Sequence, residues 1–281
     1  MLWLVYSLLT ALFFAIFALL SRVISVDSKN PRAYSVMFGV SSALFSLLLF
    51  TLEPFSFKPV SWLVLILTLV ATICYGLSDR LLFTVSKSIE ASFLTIIDKL
   101  TPAVTFVASC IFLGESFTLQ KVVAVMLILL GNLLIVYKGT TIKFDKAFFL
   151  AVFAAVSIGI GLTIDKRASI AYALPVYAFI NFFVPALYNI FLPPLPFSTI
   201  AREVKGALWK IALLAAIGVL GYYFTLKSLS LAEASKVVPI ISSSIILVVL
   251  AGAIFLKERS HLGRKTIASI CVCIGVVLLS V

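Results

Sequence analysis

Glu90-Ala91-Ser92 opens and Ile111-Phe112-Leu113-Gly114-Glu115 closes one stretch of this chain, while Glu233-Ala234-Ser235 opens and Ile254-Phe255-Leu256-Lys257-Glu258 closes another. The two stretches are offset by 143 positions at both ends, about half of the 281 residues, so an entire half-chain is written twice. This divides the sequence into a first unit, 1–139, and a second, 140–281.

Charged residues are only 12% of the chain and apolar ones 63%, with a mean hydropathy of +1.22. A soluble domain of this size could not hydrate such a surface, so the expected solvent is a lipid bilayer. A bilayer core of about 30 Å takes roughly 20 apolar residues per helix. Ten stretches meet that length, approximately 2–23, 33–52, 60–86, 91–113, 118–137, 147–165, 172–192, 207–229, 234–256 and 262–281. The connections between them are short and carry turn formers, as in Asp27-Ser28-Lys29-Asn30-Pro31, Glu53-Pro54, Lys138-Gly139 and Leu192-Pro193-Pro194-Leu195-Pro196. Trp3, Trp62 and Trp209 stand at the starts of spans, where amphipathic rings favour the headgroup level. Met1 to Leu20 has no basic region ahead of its apolar run and Arg22 follows it, which reads as a retained first helix rather than a cleaved signal. The predicted fold is an all-α membrane protein of ten transmembrane helices. Five per half is an odd number, so the second copy enters the membrane in the opposite direction and the repeat is inverted.

Several functions are disfavoured on chemistry. The chain has no Gly-rich loop ending in Gly-Lys-Ser/Thr to cradle nucleotide phosphates, so work done here draws on a gradient. Cys74, Cys110, Cys271 and Cys273 all fall inside spans, where a thiol behaves as a small hydrophobe; no disulfide, metal site or cofactor is expected. His261 is the only histidine and lies in a loop, which disfavours a histidine relay. A membrane-embedded enzyme would need a clustered nucleophile and base or a metal site, and neither is evident; a channel is a weaker third option. The net charge of +11 is spread over connections without a basic, aromatic-interleaved face, so no nucleic acid partner is expected. Loops after odd-numbered spans hold 14 Lys and Arg against 6 on the other side, which by the positive-inside rule places both termini outside the cytoplasm.

Phe112-Leu113-Gly114-Glu115 is followed by Leu119-Gln120-Lys121, and Phe255-Leu256-Lys257-Glu258 by Leu262-Gly263-Arg264. This pattern, a fourth helix closed by a Phe-Leu-Gly-Glu type signature and followed by a fifth, resembles the EamA-like branch of the drug/metabolite transporter superfamily. The resemblance covers the whole chain as two five-helix units, although Gln120 stands where the family favours Gly and Lys257 replaces the second Gly. It implies a cell-membrane secondary transporter of small metabolites, not an enzyme, with a central cavity between the halves and export as the usual direction. It also implies cytoplasmic termini, the opposite of the charge count. A small-molecule substrate and the lipid bilayer are the expected partners, in a monomer or homodimer.

Two acid-base dipeptides interrupt the apolar spans of the first half, Asp79-Arg80 and Asp98-Lys99. An ionised side chain at a helix centre costs roughly 2.5 to 3.5 kcal/mol on insertion scales, so these groups require partners. Asp79 and Asp98 lie equally deep on either side of the turn near Lys87 to Glu90, which predicts a net-neutral quartet of Asp79, Arg80, Asp98 and Lys99 across a helix hairpin. Their counterparts 143 positions on are Tyr222, Tyr223, Ile241 and Ser242, so charge in one half faces hydroxyls in the other. A zwitterion such as an amino acid could exchange partners with the quartet, with nucleotide-sugar, purine, drug-like or lipid-linked cargo as the alternatives, and Asp79 or Asp98 could couple transport to protons. Tyr75, one turn before Asp79, and Asn181, one turn before Pro185, complete the candidate substrate-binding set. Pro102 leaves the Asp98 carbonyl without its helical donor and predicts a kink. Pro239 lies just ahead of Ser242-Ser243-Ser244. Asp165-Lys166-Arg167 reads as a helix end at the interface, and Glu115 and Glu258 as surface carboxylates paired with loop bases.

Overall fold

The computed structural model describes residues 1–24, 30–53, 59–85, 91–136, 145–192, 194–255 and 262–280. Among them the first half folds as α1 (Leu2–Ile24), α2 (Pro31–Leu48), α3 (Trp62–Val85), α4 (Ala91–Asp98), α5 (Leu100–Phe112) and α6 (Leu119–Val136). The second half follows as α7 (Lys146–Ala171), α8 (Leu174–Phe191), α9 (Phe197–Leu231), α10 (Ala234–Ser242), α11 (Ser244–Phe255) and α12 (Leu262–Ser280). No strand is present among the described residues. Among the described residues eight segments are long and apolar enough to cross a membrane, which makes this a helical, multi-pass integral membrane protein. Rows such as Leu65, Leu69 and Ile73 on α3, or Val123, Met126 and Leu130 on α6, turn outward as a lipid-facing surface requires.

Two expected spans are broken near their middles. The stretch 91–113 divides at Lys99, whose N–H turns back to Ile96 O at 3.1 Å, because the Pro102 ring offers no N–H to the Asp98 carbonyl. The stretch 234–256 divides at Ser243. There the Ser242 and Ser243 hydroxyls donate to the carbonyls of Pro239 and Ile240, each at 2.6 Å, and compete with the helical ladder just after the proline. The expected span 147–165 instead continues as α7 to Ala171, so Asp165 lies inside the helix and not at its end.

α3 packs along α7 and α8, and α9 packs along α1 and α2. α5 lies on α7 as α11 lies on α1, so exchanging each helix for its counterpart one repeat on reproduces the packing scheme. α6 and α12, counterparts themselves, pack antiparallel: Gln120 near the start of α6 donates to Leu278 O near the end of α12, at 2.8 Å. Small residues bring them close. A Cβ on Gly131 would lie 2.7 Å from Ala268 O and 2.5 Å from Val272 Cγ2, and one on Gly275 would lie 2.7 Å from both Ala124 O and Ile128 Cγ1.

The repeated motif closes one face. Gly114 adopts φ +68°, a left-handed turn that glycine tolerates and that carries Glu115 away from α5. The Glu115 carboxylate then accepts from the N–H groups of Ala234 at 2.7 Å and Ser235 at 2.8 Å, so it caps the N-terminus of α10 in the other half. This corrects the expected pairing with loop bases: unsatisfied N–H groups and the positive end of a helix dipole are the better partner. Lys121 donates to Ser116 O at 2.8 Å and forms an ion pair with Glu233. Glu258 and Glu90 lie outside the described residues, as does His261. On the same face Lys166 donates to Leu229 O at 2.7 Å, Ser228 to Trp3 O at 2.8 Å, and Lys227 pairs with Glu53.

The α6–α12 contact yields a stability prediction. Gly131→Ala or Gly275→Ala forces a methyl against a backbone carbonyl and is expected to destabilise by about 1–3 kcal/mol. Gly263→Ala, with nothing within 4 Å of the added atom, serves as the neutral control in thermal unfolding followed in detergent.

Candidate functional site

α7 carries one acid into the interior. Asp165 is completely buried and accepts four hydrogen bonds: from the hydroxyls of Tyr177 at 2.7 Å, Tyr75 at 2.8 Å and Tyr222 at 3.0 Å, and from Asn181 Nδ2 at 3.3 Å. Four donors match the roughly four lone-pair sites of a carboxylate. The donors come from α3, α8 and α9, so this one side chain gathers both halves. Asn181 Nδ2 also bonds the Tyr222 oxygen, which fixes the amide orientation with Nδ2 toward the acid. Asn181 Oδ1 is buried without a hydrogen-bond partner. Gly161, one turn before Asp165, is the surface on which the Tyr75 ring rests: an added Cβ would meet the ring at 2.8 to 3.1 Å.

Above this cluster lies a cavity of about 250 Å³, lined by α1, α2, α3, α8 and α9. Its aromatic wall is continuous: Phe38 meets Phe17, Tyr34 and Phe182 with ring centroids 5.8 to 6.5 Å apart, and Phe182 meets Tyr222 at 5.3 Å. Asp79 is the acid in the wall, and its contact with protein is a long hydrogen bond from Ser35 Oγ, 3.4 Å. The cavity lies toward the end of the helices at which Arg32 donates to Asn189 O at 2.8 Å and Arg80 to Leu192 O at 2.5 Å. The face closed by Glu115 and Lys121 is at the opposite end.

Four of the nine residues singled out from sequence meet here: Tyr75, Asp79, Asn181 and Tyr222. The other five do not line the cavity. Arg80 bonds the α8 terminus, and Asp98 pairs with its own neighbour Lys99 at 3.4 Å, half-exposed, so the expected quartet is not assembled. Equal depth on consecutive helices did not mean adjacency, because α3 packs on α7 and α8 while α4 packs on α5, α6 and α7. Tyr223 donates to Glu53 at 3.1 Å on the far face, and Ser242 is held by Asn132 Nδ2 at 3.0 Å beside the break before α11. Asp165, expected at the interface, is instead the hub. The sequence does hold a signal for it: no stop residue follows before Pro175, so the helix had no reason to end at the charges. Ser35, Tyr34, Phe38 and Phe182 carried no comparable signal.

The geometry predicts that Gly161→Ala displaces the Tyr75 ring from Asp165. The expected cost is about 1–3 kcal/mol of thermal stability, because a buried hydroxyl and one carboxylate lone pair lose their partner. Tyr75→Phe made in the Gly161→Ala background is expected to add little further loss.

The EamA-like transporter family model matches residues 1–137 and again 145–281. A solved structure described as "Crystal structure of protein" superimposes with a TM-score of 0.77, covering 98% of this chain and 95% of its own, at 14% identity. A likeness at that identity speaks for the fold alone. No curated protein matches the sequence.

Proposed function

The chain belongs to the EamA-like transporter family, and from that premise we propose that it carries small polar metabolites, amino acids or related compounds, through the central cavity by alternating access. The observation that carries this reading is a cavity lined by helices of both halves, with polar ties across the halves at the opposite face. We read the units 1–139 and 140–281 as inverted repeats of five spans each, counting α4 with α5 and α10 with α11 as single broken spans. The antiparallel packing of the counterparts α6 and α12 supports it. Transporters built this way rock one element against another around a site near the midplane.

Breaks at Lys99 and Ser243 supply the bends such a motion needs, and both lie in the spans that carry the repeated motif. The closing ties are reversible. Burial pushes the Glu233 carboxyl up, but its bonds to Lys121 and Ser116 outweigh this and hold it below the ordinary Glu range. The tie is therefore complete above that range and is lost as pH falls through the lowered value. The cavity lies toward the Lys- and Arg-rich face. Export is taken as the direction because it is the usual one in the family; the positive-inside rule makes that face cytoplasmic, whereas the cytoplasmic termini usual in the family make it the outer one. Of the two acids offered for proton coupling, Asp79 and Asp98, our reading favours Asp79, since it lines the cavity and is held by one long hydrogen bond from Ser35.

Counterflow in proteoliposomes tests the reading. In a background with the four cysteines replaced, Ser35→Cys reacted with a small thiol reagent is expected to stop counterflow, with transported solute protecting the thiol. Asp98→Asn, away from the cavity, is expected to retain wild-type rates. Absence of counterflow for every solute in a panel of amino acids, amines, nucleosides and sugars would refute the proposal.

A further inference from the structure

The hydrogen-bonding capacity left over in the cavity has a definite sign. The Tyr75 and Tyr222 hydroxyls both donate to Asp165, and both amide hydrogens of Asn181 are used, one on Asp165 and one on Tyr222. Asp165 thus draws the lining donors away from the cavity. What remains in the cavity is acceptor capacity, chiefly the Asp79 carboxylate, engaged by Ser35 at 3.4 Å; Asn181 Oδ1 also lacks a partner but is buried. Among the described residues, the Tyr34 hydroxyl, able to donate or accept, is the one polar lining group outside this network, and no Lys, Arg or His lines the cavity. Around these acceptors stand the faces and edges of Phe17, Tyr34, Phe38 and Phe182, whose ring quadrupoles favour a cation.

We propose that this cavity is a binding site for a protonated amine on a compact apolar or aromatic body, with Asp79 as its counter-ion. The proposal rests on the transporter reading and narrows it to a cargo class. An ammonium group supplies N–H donors for the Asp79 carboxylate, and its body fills the aromatic wall. A carboxylate of the same shape would meet Asp79 with like charge, a penalty that discriminates strongly in a buried site. A volume of about 250 Å³ suits a metabolite and not a drug-sized ligand.

Three probes that share one body and differ in the head group decide the matter: phenethylamine, phenethyl alcohol and phenylacetate. Binding is measured on the purified full-length protein by calorimetry. The amine is expected to bind about tenfold or more tighter than the alcohol, as a charge-assisted hydrogen bond provides, and phenylacetate weakest. Asp79→Asn is expected to erase the amine's advantage while leaving alcohol binding in place. A flat ranking in the wild-type protein, including no detectable binding by any of the three, overturns the proposal even if Asp79→Asn fails to fold. Counterflow separates the two readings. If the amine preference holds but no solute exchanges, the site stands and transport falls. If solutes exchange without an amine preference, transport stands and the site assignment falls.

Discussion

A single buried carboxylate organises the centre of this protein. Asp165 is costly to hold in an apolar interior unless its lone pairs are filled, and three tyrosines and an asparagine fill them. Satisfying the acid fixes the rotamers of Tyr75, Tyr177, Asn181 and Tyr222, and with them the spacing of α3, α7, α8 and α9. The cavity wall is built from the same side chains, so its shape follows from the requirements of the acid beneath it. Gly161 belongs to that arrangement, since only a residue without a Cβ leaves room for the Tyr75 ring.

Internal symmetry explains where the site lies. Tyr34 and Tyr177, Phe38 and Asn181, Gly39 and Phe182, and Asp79 and Tyr222 are pairs of counterparts 143 positions apart. All but Tyr177 line the cavity, and Tyr177 bonds Asp165 directly below it. The counterpart helices α6 and α12 likewise meet where the two halves approach, with Gly131 on one and Gly275 on the other letting them close. At one end of the helices the repeated motif holds the halves together, as Glu115 of one caps α10 of the other. Near the middle the counterparts have diverged in chemistry, so charge, amide and ring face one another across the cavity.

The architecture was legible from the sequence because it rests on long-period signals: apolar stretches of membrane length and a motif repeated at a fixed offset. Comparison of counterparts also pointed to part of the cavity lining, since Asp79 and Tyr222 both belong to it. At Asp98 and Lys99 the contrast with Ile241 and Ser242 falls at a broken span outside that lining. Asp165 was hidden for a physical reason. Hydropathy alone ends a span at Asp165-Lys166-Arg167; the lack of a helix stop before Pro175 hints that the helix runs on, but the tyrosines from three other helices that keep the acid inside are not written in the residues around it. Lys166, by contrast, reaches a backbone carbonyl one helix away, so adjacent charges in one run have unrelated roles.

The claim that Asp165 couples the two halves is tested most directly by a double-mutant cycle between Asp165→Asn and Tyr75→Phe, read as thermal stability in detergent. The account predicts a coupling of roughly 0.5–3 kcal/mol, the range for residues that share a hydrogen-bond network. Strict additivity of the two substitutions, within about 0.3 kcal/mol, would contradict it.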